Sequence, residues 1–383
     1  MNPEWTYKRI GDACLVERGG SPRPIDDYIT DNPDGINWIK IGDTSDSMYI
    51  SKTAQKIKPE GMKKSRYVEP GDFLLSNSMS FGRPYILKID GCIHDGWLVL
   101  RDSGGLFDKR FLYYYLSAPT TYRKFAAMAV GGVVNNLNSE MVRKVEVPVP
   151  TMEEQRDIAN LLEKLNGVIE ERKKERSLLD DLIKARFVEM FGLYPDNPMG
   201  WRTGVIRDVV SDVRYGSSRP AAEGGRYPYL RMNNITYGGE LDLTDTKRID
   251  VPENELDKCT VRRGDVLFNR TNSKELVGKT CVYNRDEMMV LAGFVIRVRL
   301  KDTMLPEFLS AFLNTDFSKQ MLLGMCKTAI GQANINAQEM QGIGLYIPPI
   351  ELQKEYVAFK TQVDKSKVVE FSVFTKQAKS YII

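Results

Sequence analysis

The chain has 383 residues, 42% of them hydrophobic and 27% charged, with 54 basic against 51 acidic side chains and a formal charge of +3. This is the composition of a globular protein too long for one ordinary core, so two or three domains are expected. No run of about eighteen apolar residues occurs, which excludes a spanning helix, and the opening MNPEWTYKRIGD lacks the order of a secretory leader, so a cytoplasmic protein is expected.

Trp5, Ile10, Asp12, Gly20, Ser21, Arg23 and Pro24 open the chain with a pattern that returns 196 residues later as Trp201, Ile206, Asp208, Gly216, Ser217, Arg219 and Pro220. Between them, INWIKIG, DFLLS, PYILKI and GWLVLR are short apolar runs bounded by Gly, Pro and Asp, the signature of strands. Residues 107–128 switch to helical spacing, and the stripe of Phe111, Tyr114, Tyr115 and Phe125 reads as helix core rather than a base-stacking platform.

After Pro150 the helical pattern lengthens. Ile158, Leu161, Leu162, Leu165, Val168, Ile169, Leu179, Leu182, Ile183 and Phe187 recur at three- and four-residue spacing, interrupted by the charged run EERKKERS. Residues 152–191 make a rod of roughly 60 Å at about 1.5 Å per residue, ended by Gly192, Pro195 and Pro198. Such a rod needs a partner for its stripe.

The second half then repeats the first with small drifts in register. WIKIGD pairs with YLRMNN, EPGDFLLSN with RRGDVLFNR, GWLVLR with GFVIRVR, NNLNSEM with ANINAQEM, and VPTMEEQ with IPPIELQ. A helix is expected over 306–325, and a closing helix from Glu351 carries Tyr356, Val357, Val363, Val368, Val369, Phe371, Phe374, Ala378 and Ile382. The two long helices are expected to pair as an antiparallel coiled coil, which would bury both stripes; the alternative is that they pack separately, each on its own domain.

The expected fold is therefore mixed α/β (α+β), with an internal pseudo-twofold repeat. Its expected parts are a first domain over 1–148, a central helix over 149–193, a second domain over 194–346 and a distal helix over 347–383.

Two halves that each open near a Trp (NPEW, NPMGW), contain a Gly-Asp-x-Leu turn (Gly71, Asp72 and Leu74; Gly264, Asp265 and Leu267) and close with Pro-x-x-x-x-Gln before a long helix resemble the specificity subunit of Type I restriction-modification systems. The resemblance covers the whole chain. It implies two target-recognition domains, each reading one half of a split site in double-stranded DNA, held apart by paired helices that act as a ruler. It also implies that these helices dock two methyltransferase subunits, and that the nuclease and translocase subunits join that assembly. The geometry of a duplex agrees, because equivalent groove faces recur about every 34 Å.

Direct readout needs Arg or Lys for guanine, Asn or Gln for adenine, and Ser or Thr as adaptable partners. Such residues recur at matching places: Ser21 and Arg23 against Ser217, Ser218 and Arg219; Lys40 against Arg231, Asn233 and Asn234. After the Gly-Asp turn stand Asn77, Ser78, Ser80 and Arg83 against Asn269, Arg270, Thr271, Asn272, Lys274 and Lys279. Farther on, Asn135 and Asn136 match Gln332 and Asn334. Each has an alternative as a turn or capping residue. His94, the one histidine, is a weaker candidate with the same alternative.

Catalysis finds little support. Cys14, Cys92, Cys259, Cys281 and Cys326 are scattered without zinc spacing and read as buried small hydrophobes, so neither metal nor cofactor is expected. NPEW, NPDG and NPMG lack the second proline of an amino-methyltransferase motif. VGKT at 277–280 has Ser273 where a phosphate loop needs Gly. Asp72 and Asp265 are either turn residues or magnesium ligands of a nuclease. A stand-alone DNA-binding regulator, or a nuclease or methyltransferase with an unrecognised site, are the other readings of the chain.

Overall fold

The structure is a computed structural model that describes residues 5–78, 81–129, 136–329 and 332–381, and their side chains apart from 327–329, 332 and 368–381. Contacts divide the chain into two units, Met1–Glu170 and Glu171–Ile383.

In the first unit a five-stranded sheet is ordered Leu15–Arg18, Trp97–Arg101, Phe73–Ser76, Pro84–Leu87, Tyr49–Ile50, antiparallel except for its last pair. Phe73, Leu75, Leu98 and Leu100 pack with Leu112, Leu116 and Phe125 of the helices Lys109–Ser117 and Pro119–Ala129. Leu74, Trp97 and Val99 point the other way, onto Ile39, Val68 and Ile93 of a second sheet. Both faces are covered, which is why these strands read as continuous apolar runs. The second sheet is ordered Ile29–Thr30, Gln55–Ile57, Ile36–Ile39, Gly91–Ile93, Arg66–Val68, and Ile36–Ile39 runs parallel to Gly91–Ile93. A ribbon of Thr6–Arg9 with Glu146–Val149 completes the unit.

The second unit rebuilds this plan. One sheet is ordered Val210–Tyr215, Val295–Leu300, Val266–Asn269, Thr280–Val282, and the other Lys247–Ile249, Tyr227–Leu230, Met289–Leu291, Thr260–Val261. Again one pair is parallel, Tyr227–Leu230 with Met289–Leu291, and again a ribbon, Arg202–Val205 with Gly344–Ile347, completes the unit. Helices Pro306–Leu313 and Asp316–Met325 cover the first sheet.

The Gly-Asp turns now have a physical cause. Gly71 and Gly264 sit at φ of 93° and 91°, a conformation that side chains with a Cβ rarely adopt. The following carboxylate caps the turn, accepting from the Glu69 N–H at 3.1 Å in one unit and from the Arg262 N–H at 2.9 Å in the other. It also accepts from an arginine on the neighbouring strand, Arg101 at 2.8 Å and Arg299 at 2.8 Å. Both carboxylates are thus engaged in holding the turn.

The Pro-x-x-x-x-Gln motif is explained in the same way. Gln155 is buried in the first turn of the linking helix Met152–Phe191; its amide donates to Leu106 O and Pro150 O, and its oxygen accepts from the Asp108 N–H at 2.9 Å. Gln353 in the closing helix Ile350–Tyr381 does likewise with Thr303 O, Pro348 O and the Leu305 N–H at 2.8 Å. Each helix is pinned to its own domain by satisfying backbone groups that burial would otherwise orphan.

Within the second unit the two long helices pair. Asp180 meets Lys367, and Arg186 meets Glu355, so the partners run antiparallel. Leu179, Ile183, Phe187 and Phe191 join Tyr356, Val357 and Val363 in the core, with the Phe187 and Tyr356 rings 5.2 Å apart. Earlier in the linking helix, Ile158, Leu162, Leu165 and Val168 are half-buried while Leu161 and Ile169 are exposed, as is Leu182 farther on. The Val368 side chain lies outside the described residues. No described helix is long and apolar enough to cross a membrane.

Candidate nucleic-acid interface

In both units the candidate loops converge on one turn, the link between the parallel strand and the central antiparallel strand. In the first unit this turn is His94, Asp95 and Gly96. The Gly19 N–H donates to Trp97 O, the Gly20 N–H to Ile93 O, the Asn77 N–H to Gly96 O and the Leu137 N–H to Asn77 O. In the second, Gly216 bonds Val295 O, Ser217 bonds Leu291 O, Arg270 bonds Phe294 O and Ile335 bonds Arg270 O. The frames are the same. A Cβ on Gly216 would stand 2.2 Å from Leu291 O, so only glycine allows this approach.

The frame corrects the alignment by one residue. Gly19, not Gly20, takes the place of Gly216, because the strand Val210–Tyr215 carries a register shift between Val210 and Asp212. Ser21 consequently corresponds to Ser218, and Ser217 to Gly20. Strand pairing also sets Val295, not Phe294, in the place of Trp97, since Trp97 lies opposite Ser76 and Val295 opposite Asn269. Trp97 is fully buried, whereas Phe294 occupies the place of Gly96 and is 52% exposed.

Around the first turn, the Ser21 hydroxyl donates to Asp95 Oδ1 at 3.0 Å and Arg23 Nη2 approaches Asp95 Oδ2 at 3.4 Å. Burial pushes the Asp95 carboxyl up, but Ser21, His94, Arg18 and Arg23 together hold it below the usual carboxylate range. Burial depresses His94, aided by Lys40, Arg18 and Arg23 and opposed by Asp95. Its Nδ1 accepts from the Gly96 N–H at 2.9 Å, which leaves the proton on Nε2, 3.0 Å from Asp95. His94 is thus a brace of the turn.

Several candidates are committed to the frame itself. Asn77 is buried and donates to Asp95 O. Asn234 is buried, capping Arg231 N and donating to Asp242 O, and Asn269 is buried against Thr271 O and Phe294 O. Thr271 is buried in the short strand Thr271–Asn272, which pairs with Gln332–Asn334, and Lys279 Nζ donates to Met232 O at 2.8 Å, its pKa lowered by burial. These residues shape the loops from inside.

The others, Ser217 excepted, face outward. Arg23, Arg83, Asn136, Ser218, Arg219, Asn233, Lys274 and Asn334 are exposed; Ser21, Lys40, Ser78, Arg231, Arg270 and Asn272 are half-buried, and Ser217 is buried. Lys40 donates to Gln55 Oε1 and Arg231 to Asp245. Strand pairing sets Asn334 opposite Thr271, beside Arg270, whose guanidinium lies 4.8 Å over the Tyr215 ring. Gln332 lies on that strand, its side chain outside the described residues, as are Ser80 and Asn135. Sequence reasoning overlooked the exposed Phe294 and Tyr215, which add aromatic faces to the second unit's loops. Donors, acceptors and aromatic faces on one loop surface are the equipment for reading nucleic acid. Among the described residues no group of His, Cys, Asp and Glu is placed to hold a metal.

A model of the Type I restriction modification DNA specificity domain matches residues 2–178 and again residues 198–370. The chain is 22% identical to the Type I restriction enzyme EcoKI specificity subunit of Escherichia coli K12, over 82% of this chain and 71% of that protein. It is 25% identical to the MjaIX specificity subunit of Methanocaldococcus jannaschii, over 63% of this chain and 60% of that protein. Among solved structures, a chain from a study of complex assembly and conformational transition of the type I R-M system superposes with a TM-score of 0.59 at 18% identity, covering 99% of this chain and 95% of that one. That likeness is one of fold.

Proposed function

The chain belongs to the Type I restriction-modification DNA specificity family, as its non-catalytic target-recognition component, and from that premise we propose how its parts divide the work. Residues 1–148 read one half of a bipartite site in duplex DNA and residues 194–346 read the other. Residues 149–193 and 347–383 form the antiparallel helices that set the unread spacer. Exposed apolar side chains on the linking helix, Leu161, Ile169, Leu178 and Leu182, offer a docking surface to two methyltransferase subunits. Nuclease and translocase subunits join through that assembly, in the cytoplasm.

One observation carries this reading. A common hydrogen-bond frame in the two units supports different outward side chains, Arg23 and Arg83 in one against Arg219, Arg270 and Asn334 in the other. Equal scaffolds with unequal reading surfaces suit two unlike half-sites.

The test adds labelled methyl donor and cognate DNA to the chain alone and to its complex with the methyltransferase subunits. Transfer is expected only in the complex. Transfer or cleavage by the chain alone would contradict this division of labour.

A further inference from the structure

We propose that Arg219 reads a guanine in the half-site of the second unit and that Glu255 is its positioning residue, an inference that rests on the function proposed above.

Among the outward arginines of these loops, Arg219 has a distinctive setting. Its N–H donates to the Ser217 hydroxyl at 3.2 Å, and its carbonyl accepts from the Tyr229 hydroxyl at 3.2 Å. Its guanidinium donates through Nε to Glu255 Oε2 at 3.2 Å and through Nη2 to Glu255 Oε1 at 2.8 Å. Backbone and side chain are therefore fixed together. Glu255 stands on the helix Glu253–Cys259, and Cys259 and Leu256 pack that helix into the same small apolar cluster as Tyr229. One cluster thus supports both ends of the arrangement.

A guanidinium has two forked edges. Glu255 takes the Nε and Nη2 edge, which leaves Nη1 and the second Nη2 hydrogen directed away on a side chain that is 46% exposed. That free fork matches O6 and N7 of guanine, the pairing in the major groove with two acceptors side by side. Arg23 is held by a single 3.4 Å contact, and Arg231, 23% exposed, donates its Nη2 to both the carboxylate and the carbonyl of Asp245. Neither presents a braced, outward fork.

The experiment uses the complex with its methyltransferase subunits and duplexes in which each position of the cognate site is changed singly. Arg219→Ala is expected to weaken cognate binding about ten- to a hundredfold and to erase discrimination at one G·C pair. Arg219→Lys, which keeps the charge and the fold, should lose the same discrimination. Glu255→Gln should blur that same pair while strengthening binding to unrelated DNA, because a carboxylate has left the DNA face; a merely structural Glu255 would not move these two quantities in opposite directions. Equal weakening on every sequence would make Arg219 a phosphate contact and overturn the proposal, as would unchanged discrimination in both Arg219 variants. If the unaltered complex fails to prefer any sequence, the underlying functional reading has failed instead.

Discussion

Replacing residues 1–148 by the corresponding half of a related specificity subunit is expected to change one half of the recognised site completely and leave the other untouched. The expectation follows from the separation of the two reading frames. Every contact that shapes the first loop surface, from Gly19 to Trp97, from Asn77 to Gly96 and from Leu137 to Asn77, is made within the exchanged segment. The segment also carries nearly all of its ribbon, Thr6–Arg9 with Glu146–Val149: Tyr7, Lys8 and Arg9 keep their partners, and only Thr6 is paired across the junction, with Val149. Mapping methylated sites in cells that carry the hybrid measures the result. A hybrid that altered both half-sites together would show that the units do not read independently.

Asp265→Ala is the second large effect, and it is one of stability. Asp265 is 2% exposed; it accepts from Arg299 at 2.8 Å and 3.3 Å and from the Arg262 N–H at 2.9 Å. Its removal orphans a half-buried guanidinium and a turn N–H, a loss of about 3 kcal/mol or more. Asp72→Ala, at the matching turn, should cost less, roughly 1–2 kcal/mol. There Arg101 keeps Glu17 at 3.3 Å as a second partner, and the Asp72 side chain is 17% exposed. Calorimetric or denaturant unfolding of the two variants decides the matter. Equal losses, or a larger loss at Asp72, would mean that the neighbouring carboxylate is not what separates them.

Much of the fold is legible in the sequence because the same physical demands recur in both halves. Strands covered on both faces must be apolar throughout, and DFLLS and GWLVLR read as such. Gly71 and Gly264 mark left-handed turns, and the proline before each long helix marks its start. The role of Gln155 and Gln353 is not legible, since their partners are backbone atoms of a loop some 50 residues away. The one-residue slip after Ile206 is hidden too. A bulge leaves the residue pattern nearly intact while moving Ser217 to the place of Gly20, and the likeness of GWLVLR to GFVIRVR hides that Val295, not Phe294, takes the buried place of Trp97. Candidate DNA contacts suffer most from this, because Asn and Lys serve equally well as frame and as reader. Burial alone separates Asn269 and Lys279 from Asn334 and Lys274.

The long helices are legible as a stripe and as an antiparallel pair, but not in which part of the stripe the pair buries. Leu179, Ile183, Val357 and Val363 enter the core, while Leu161, Ile169 and Leu182 on the same stripe remain exposed. The interruption EERKKERS spans the boundary between the units at Glu170 and Glu171, ahead of the part of the pairing that the described side chains show, from Leu179 onward. An insertion there lengthens the helix without disturbing either reading surface or the Asp180–Lys367 and Arg186–Glu355 pairs.

The most direct measurement is therefore the spacer recognised after four residues, about one turn and roughly 6 Å of helix, are inserted beside Glu170. With DNA rising about 3.4 Å per base pair, the spacer should grow by about two base pairs while both half-sites keep their sequences. A spacer of unchanged length in a complex that still methylates, or half-sites that change with the insertion, would contradict the account.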